Sequence, residues 1–147
     1  MTTKISTGLR NHLAVTGSLR AAFNTNSRLS IYGGSEVASA DSDATGASLL
    51  VVITGPAAAG LEFEAAATSG NLLKLAAQVW EGNPAASGTA TWYRLETLSD
   101  TRGSSTTALR VQGDIGQVVG DMVFTNPAVT VGTPKRIDNG AISVVSA

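Results

Sequence analysis

Apolar positions in this chain change their spacing near residue 25. Before it, Ile5, Leu9 and Leu13 recur every fourth residue, which lays one stripe along a short helix. Gly8 weakens that helix and Gly17 breaks it, while Ser18 is a cap for a second turn or two carrying Leu19, Ala22 and Phe23. The stripe is too short to stand alone, since isolated helices below roughly 12–15 residues are marginal in water. It therefore packs on its own domain or docks on a partner. The docking version makes Ile5, Leu9, Arg10, Leu13, Leu19, Arg20 and Phe23 the candidate partner contacts, with the two arginines flanking the apolar stripe.

From Arg28 onward the pattern is that of strands. "RLSIYGG" is a short strand closed by a glycine pair, followed by the polar loop "SEVASADSDATGA". "SLLVVITG" is apolar on both faces, so it should be central in a sheet or covered on both sides. "GLEFEAA" alternates Leu61 and Phe63 against Glu62 and Glu64, a half-buried strand. "NLLKLAAQVWEG" is ambiguous, with strand character favoured from Gln78 to Glu81. In "ASGTATWYRLETLSD" Trp92 points to one face and Tyr93 and Leu95 to the other, so both faces carry large groups. "ALRVQGDIG" alternates Leu109, Val111 and Ile115 against Arg110, Gln112 and Asp114, and "DMVFTNP" is a further strand closed by Pro127. Asn139-Gly140 between two apolar runs signals a closing hairpin. About eight short strands at this spacing predict an all-β sandwich, jelly-roll-like or immunoglobulin-like. The organisation expected is a helical N-terminal arm, residues 1–24, and a β-sandwich domain, residues 25–147.

Composition narrows the function classes. The 147-residue chain fits one domain with a respectable core, and its formal net charge of -1 gives no attraction to nucleic acid or acidic lipid. Only 14% of residues are charged, which fits surface destined for other proteins, and equally a small Ala- and Thr-rich β-domain. There is no cysteine, hence no disulfide framework and no thiolate metal site. The longest aliphatic run, "LLVVI", is too short to span a bilayer, and "MTTKISTGLRNHLAV" lacks the apolar core of a signal peptide.

Residues suited to chemistry are few. His12 is the sole histidine; a lone His on a short helix is more often a surface or interface residue than a catalytic base. Asp41 and Asp43, with Glu36 nearby, read as a solvated acidic loop with too few oxygen ligands for calcium. Glu62 and Glu64 share a strand face through exposure alone. Arg94, Arg102, Arg110, Lys135 and Arg136 are scattered among acids and build no aromatic-lined basic groove. Trp92 reads as core, whereas Trp80 beside Glu81-Gly82-Asn83-Pro84 is expected to be partly exposed and could stack on a sugar. No catalytic residue, metal or cofactor is expected.

The succession "ISTGLRNHLAVTGSLRAAF", "LSIYGGSEVASADSDATG", "LLVVIT", "VWEGNPAASGTATWYRL", "LRVQGDIG" and "IDNGAISVV" resembles a group of small virion structural proteins of tailed bacteriophages. The likeness covers nearly the whole chain, and "ASGTATWYRL" followed by "RVQGDIG" is its most specific part. It implies a virion component, made in the host cytoplasm, more than it implies a place on the virion; the role expected is that of a capsid decoration (cement) protein. Its partners would be the major capsid protein, other virion proteins and copies of itself, without nucleic acid or membrane. A neck, collar or tail component is the alternative within that class. A carbohydrate- or receptor-binding module using Trp80 and loop 35–46 is the alternative outside it.

Overall fold

The computed structural model describes residues 3–118 and 122–142. Its strands are, in chain order, β1 (Lys4–Ile5), β2 (Ser27–Gly33), β3 (Ser48–Ile53), β4 (Leu72–Leu73), β5 (Trp80–Gly82) and β6 (Gly88–Thr89). They continue as β7 (Trp92–Thr97), β8 (Arg110–Gly116), β9 (Met122–Val123), β10 (Ala128–Val129), β11 (Lys135–Ile137) and β12 (Ala141–Ile142). The chain is mostly β and its strand pairs are antiparallel, apart from the parallel pair β8–β9. A six-stranded sheet runs in the order β1-β8-β7-β2-β3, with β9 also on β8. Three two-stranded ribbons accompany it: β10–β6, β11–β5 and β12–β4.

Register assigns the two faces of the sheet. Leu29, Leu95 and Val111 lie opposite one another across β2, β7 and β8, and Ile31 lies opposite Tyr93. These side chains are buried in one cluster with Phe63, Trp80, Ile137 and Ile142 from the ribbon side of the molecule. The other face carries Ser30, Arg94 and Gln112 in one row and Arg28, Glu96 and Arg110 in the next.

The N-terminal segment divides into helix α1 (Thr7–Asn11), one π-helical turn over His12–Thr16 and helix α2 (Leu19–Phe23). Ser18 caps α2 by accepting the N–H of Ala21, and Ser6 caps α1 by accepting that of Leu9. Ser6 Oγ also accepts the N–H of Arg110 at 3.0 Å and donates to the carbonyl of Ala108 at 2.6 Å, which fastens the first helix to the sheet. Gly8 is required there: a Cβ at this position would lie 2.3 Å from the carbonyl oxygen of Thr107. Ile5 is not helical but pairs with Val111 as part of β1.

The expected division at residue 25 is not a seam, because β1 belongs to the main sheet and Leu9, Ala22 and Phe23 belong to its core. The closing hairpin is corrected as well. β11 pairs with β5 and β12 with β4, not with each other, and Gly140 is not in a left-handed conformation. The last five positions of that expected hairpin, and Asp121 of the strand "DMVFTNP", lie outside the described residues. "GLEFEAA" makes only an isolated bridge, Phe63 to Lys74, although Leu61 and Phe63 are buried as expected. No helix among the described residues is long and apolar enough to cross a membrane.

Candidate functional site

Of the bases expected to be scattered, Arg94, Arg102 and Arg110 come together in one layer, whereas Lys135 and Arg136 belong to β11 in a separate ribbon. β7 and β8 send Arg94, Glu96, Arg110 and Gln112 to the same face of the sheet, and all four are at most 1% exposed. Two loops cover them: residues 34–47, between β2 and β3, and residues 98–109, between β7 and β8. Both loops are polar and lack strand pattern, so their order must come from what lies beneath.

Arg110 ties both loops to β8. It forms a two-point pair with Asp100, Nε to Oδ2 and Nη2 to Oδ1, each 2.7 Å. Its remaining hydrogen bonds go to the carbonyls of Gly103, at 2.7 Å, and Ala40, at 3.1 Å. The planar guanidinium suits this task, because its fixed fork matches a carboxylate while further N–H groups reach backbone oxygens.

Glu96 lies at the centre of the layer. Its Oε1 accepts from Arg28 Nε at 2.9 Å, Ser30 Oγ at 2.7 Å and Arg102 Nε at 2.9 Å. Arg94 donates to Gln112 Oε1 through Nε at 3.0 Å and Nη2 at 2.7 Å, and reaches the carbonyl of Ser42 at 3.1 Å. Gln112 in turn donates to Glu36 Oε1 and to the carbonyl of Val37, both at 3.0 Å. Lys4 of β1 completes that end with a 3.0 Å ion pair to Glu36. Asp41 accepts the Thr7 N–H at 2.9 Å and the Thr7 hydroxyl at 2.6 Å, so loop 34–47 also caps the start of α1.

Electrostatics follow from this geometry. Burial alone would raise the Asp100 carboxyl, but its hydrogen bonds from Arg110 and from the Arg102 N–H outweigh that and hold its pKa below the ordinary carboxylate value. Asp41 is lowered likewise, with the Thr7 hydrogen bonds overcoming burial. Arg94 is lowered by burial and by the charge of Arg110. Arg110 is raised, its contacts with Asp100 overcoming burial. Next to this layer, Tyr32 and Trp92 stack at 4.0 Å between ring centroids, and with Ala44 they form a second small core under loop 34–47.

The other candidates fall elsewhere. Leu9 and Phe23 are fully buried in the chain's own core and offer nothing to a partner. Ile5, Leu13 and Leu19 are partly buried against that core. Arg20 donates to the carbonyls of Phe63 and Glu64, and Arg10 is exposed, donating to the Thr7 hydroxyl. His12 Nε2 lies 3.1 Å from the carbonyl oxygen of Ser18. Trp80 is 1% exposed, bonded through Nε1 to Gln78 Oε1 at 2.7 Å and set edge-on to Phe63. It therefore presents no ring face for a sugar, contrary to the expectation of partial exposure. Among the described residues no cluster of His, Asp and Glu comes together to hold a metal ion.

Alternation alone conceals the arginine layer, since Arg110 and Gln112 against Val111 read as an exposed face of a half-buried strand. The available signal is the length and polarity of the two loops that flank β2 and β7, which must lie across something. No family model, no curated protein and no solved structure matches the chain.

Proposed function

We propose that this chain is a structural subunit of a tailed-phage virion, acting as a decoration protein that stabilises the capsid shell through contacts with the major capsid protein and with its own copies. The observation that carries the reading is the buried arginine layer, which holds two long loops on the sheet and leaves small side chains outward. Ser35, Ala38, Thr45 and Gly46 of the first loop, and Thr101, Ser104 and Thr106 of the second, are exposed. A platform of short side chains on an ordered backbone loses little conformational freedom on association. The acids and bases of the layer act as internal ties, which suits a part whose task is shape rather than reaction. The stretches that resemble phage virion proteins include the first loop and the parts of β2, β7 and β8 that carry Ser30, Arg94, Arg110 and Gln112.

The same proposal includes a two-layer architecture, with the six-stranded sheet as one layer and the ribbons β11–β5 and β12–β4 as the facing one. In a virion, contacts from the N-terminal segment are limited to its outer positions, such as Arg10 and the 89% exposed Val15. The test is quantitative mass spectrometry of particles purified from the phage that encodes the chain. Copies on the scale of the capsomers support decoration. A count of about a dozen, the order of one cyclic ring, moves the protein to the neck or collar. Absence from the particles overturns the virion reading.

A further inference from the structure

A cleft of about 820 Å³ opens where the ribbons β11–β5 and β12–β4 approach residues 122–126. Met122, Phe124, Ile137 and Ile142 give it apolar walls; Lys74 and Lys135 line it too, and its one carboxylate among the described residues, Asp138, is paired with Arg136 at 2.9 Å. Each lysine is held over an aromatic ring. Lys74 Nζ is 5.7 Å from the Trp80 ring centroid, and Lys135 Nζ is 5.1 Å from that of Phe124.

These two lysines resemble Arg94, which donates to an amide oxygen and to carbonyls, and differ from the other three bases of the arginine layer. Arg28, Arg102 and Arg110 each meet a carboxylate. Among the described residues Lys74 donates to the carbonyls of Leu75 and Gln78, Lys135 donates to those of Asn126 and Ala128, and neither meets a carboxylate. An ammonium group has three donors, so one N–H remains on each. Lys74 is 8% exposed, and burial pulls the pKa of Lys135 below the ordinary lysine value. Lys74, a buried cation with carbonyl partners among the described residues, gains strongly from a carboxylate, and the half-buried Lys135 supplies a second positive charge to the same cleft.

We propose that this cleft binds a carboxylate carried on an apolar peptide segment of a partner protein, with Lys74 and Lys135 receiving the charge and the apolar walls receiving the adjoining side chains. A sugar acid fits less well, because the Trp80 ring is covered and the Phe124 ring lies under Lys135. A small inorganic anion would leave the apolar walls unused. The proposal does not rest on the virion role, since any partner bearing such a segment would serve.

The experiment titrates the full chain with acetyl-Val-Leu-Glu-amide and with acetyl-Val-Leu-Gln-amide, following the backbone amide resonances of Lys74, Lys135 and Gly140. The glutamate peptide should give saturable shifts with a Kd of about 10–1000 μM, and the glutamine peptide should bind roughly tenfold more weakly. Lys135→Met should weaken the glutamate peptide by a similar factor and leave the spectrum of the free protein dispersed. If that variant fails to fold, the comparison of the two peptides on the unmodified chain decides the matter. Absence of shifts at millimolar peptide, equal binding of both peptides, or tighter binding of galacturonate than of the glutamate peptide would each overturn the proposal.

Discussion

The two faces of the central sheet are both buried, yet they are buried by different means. On one face Leu29, Ile31, Tyr93, Leu95 and Val111 join a continuous apolar core. On the other, Arg94, Glu96, Arg110 and Gln112 are as deeply covered, and their cover is loop backbone held by hydrogen bonds. The apolar face is non-directional and tolerates exchange among side chains of similar volume. The polar face is directional: each charge is tolerable only while its partner stays in place. Order in the loops is therefore tied to a handful of side chains, whereas order in the core is shared among many.

The most damaging test of this contrast removes a piece that serves both faces. A chain beginning at Thr25 loses Lys4 and Thr7 from the polar side and Leu9 and Phe23 from the apolar side. It should aggregate or fail to melt cooperatively, as seen by circular dichroism on heating. A truncated chain that stays soluble with an unchanged melting temperature would show that the N-terminal segment is an appendage after all.

Next in size is a matched pair of single substitutions. Arg110→Met strands Asp100 in a covered site and should cost about 3–5 kcal/mol. Leu95→Ala on the opposite face should cost about 2–5 kcal/mol by cavity formation. The distinction lies in rescue: Asp100→Leu added to Arg110→Met should recover much of the loss, because it removes the stranded charge. Urea denaturation of the four proteins measures this. A double variant no more stable than Arg110→Met alone would mean that the pair does not work as a unit.

The mildest test is acid. Asp100 and Asp41 have folded-state pKa values held below the ordinary carboxylate value of about 3.9. The unfolded chain then takes up these protons at higher pH than the folded one does. Their contribution to stability is complete above about pH 4 and is lost as pH falls through the lowered folded values. Hydrogen exchange of the amides of Ala44 and Ser105, which donate to carbonyls between the loops, should accelerate below about pH 4 before that of Leu95. Simultaneous loss of protection in loops and core would indicate that the polar face has no separate acid sensitivity.

Much of this arrangement is legible in the residues. Ser18 follows the helix-breaking Gly17 and does cap α2. Trp92, Tyr93 and Leu95 alternate as a strand covered on both faces requires, and all three are buried. Strand content followed from β-branched and aromatic residues between glycine-rich turns. The Asn139-Gly140 pair misled because turn chemistry states that the chain bends, not which strand it will pair with afterwards. Bending there, β11 and β12 go to different partners, β5 and β4. Trp80 misled for a related reason: Glu81-Gly82-Asn83-Pro84 follow it in sequence, but its ring is set against Phe63 and Lys74 and bonded to Gln78.

Local sequence thus determined where this chain extends, turns and caps its helices, since those outcomes depend on each residue's own backbone preferences and on neighbours a few positions away. It also determined that the chain carries a single histidine and no cysteine. Only the tertiary structure decided that the polar side of β7 and β8 would be covered rather than wet. Burial of a charge depends on partners far along the chain, Arg110 meeting Ala40 and Gln112 meeting Glu36. Alternation of polar and apolar residues marks which side of a strand differs from the other. Whether the polar side meets water or a loop that satisfies it is settled by long-range contacts, and those exist only once the chain has folded.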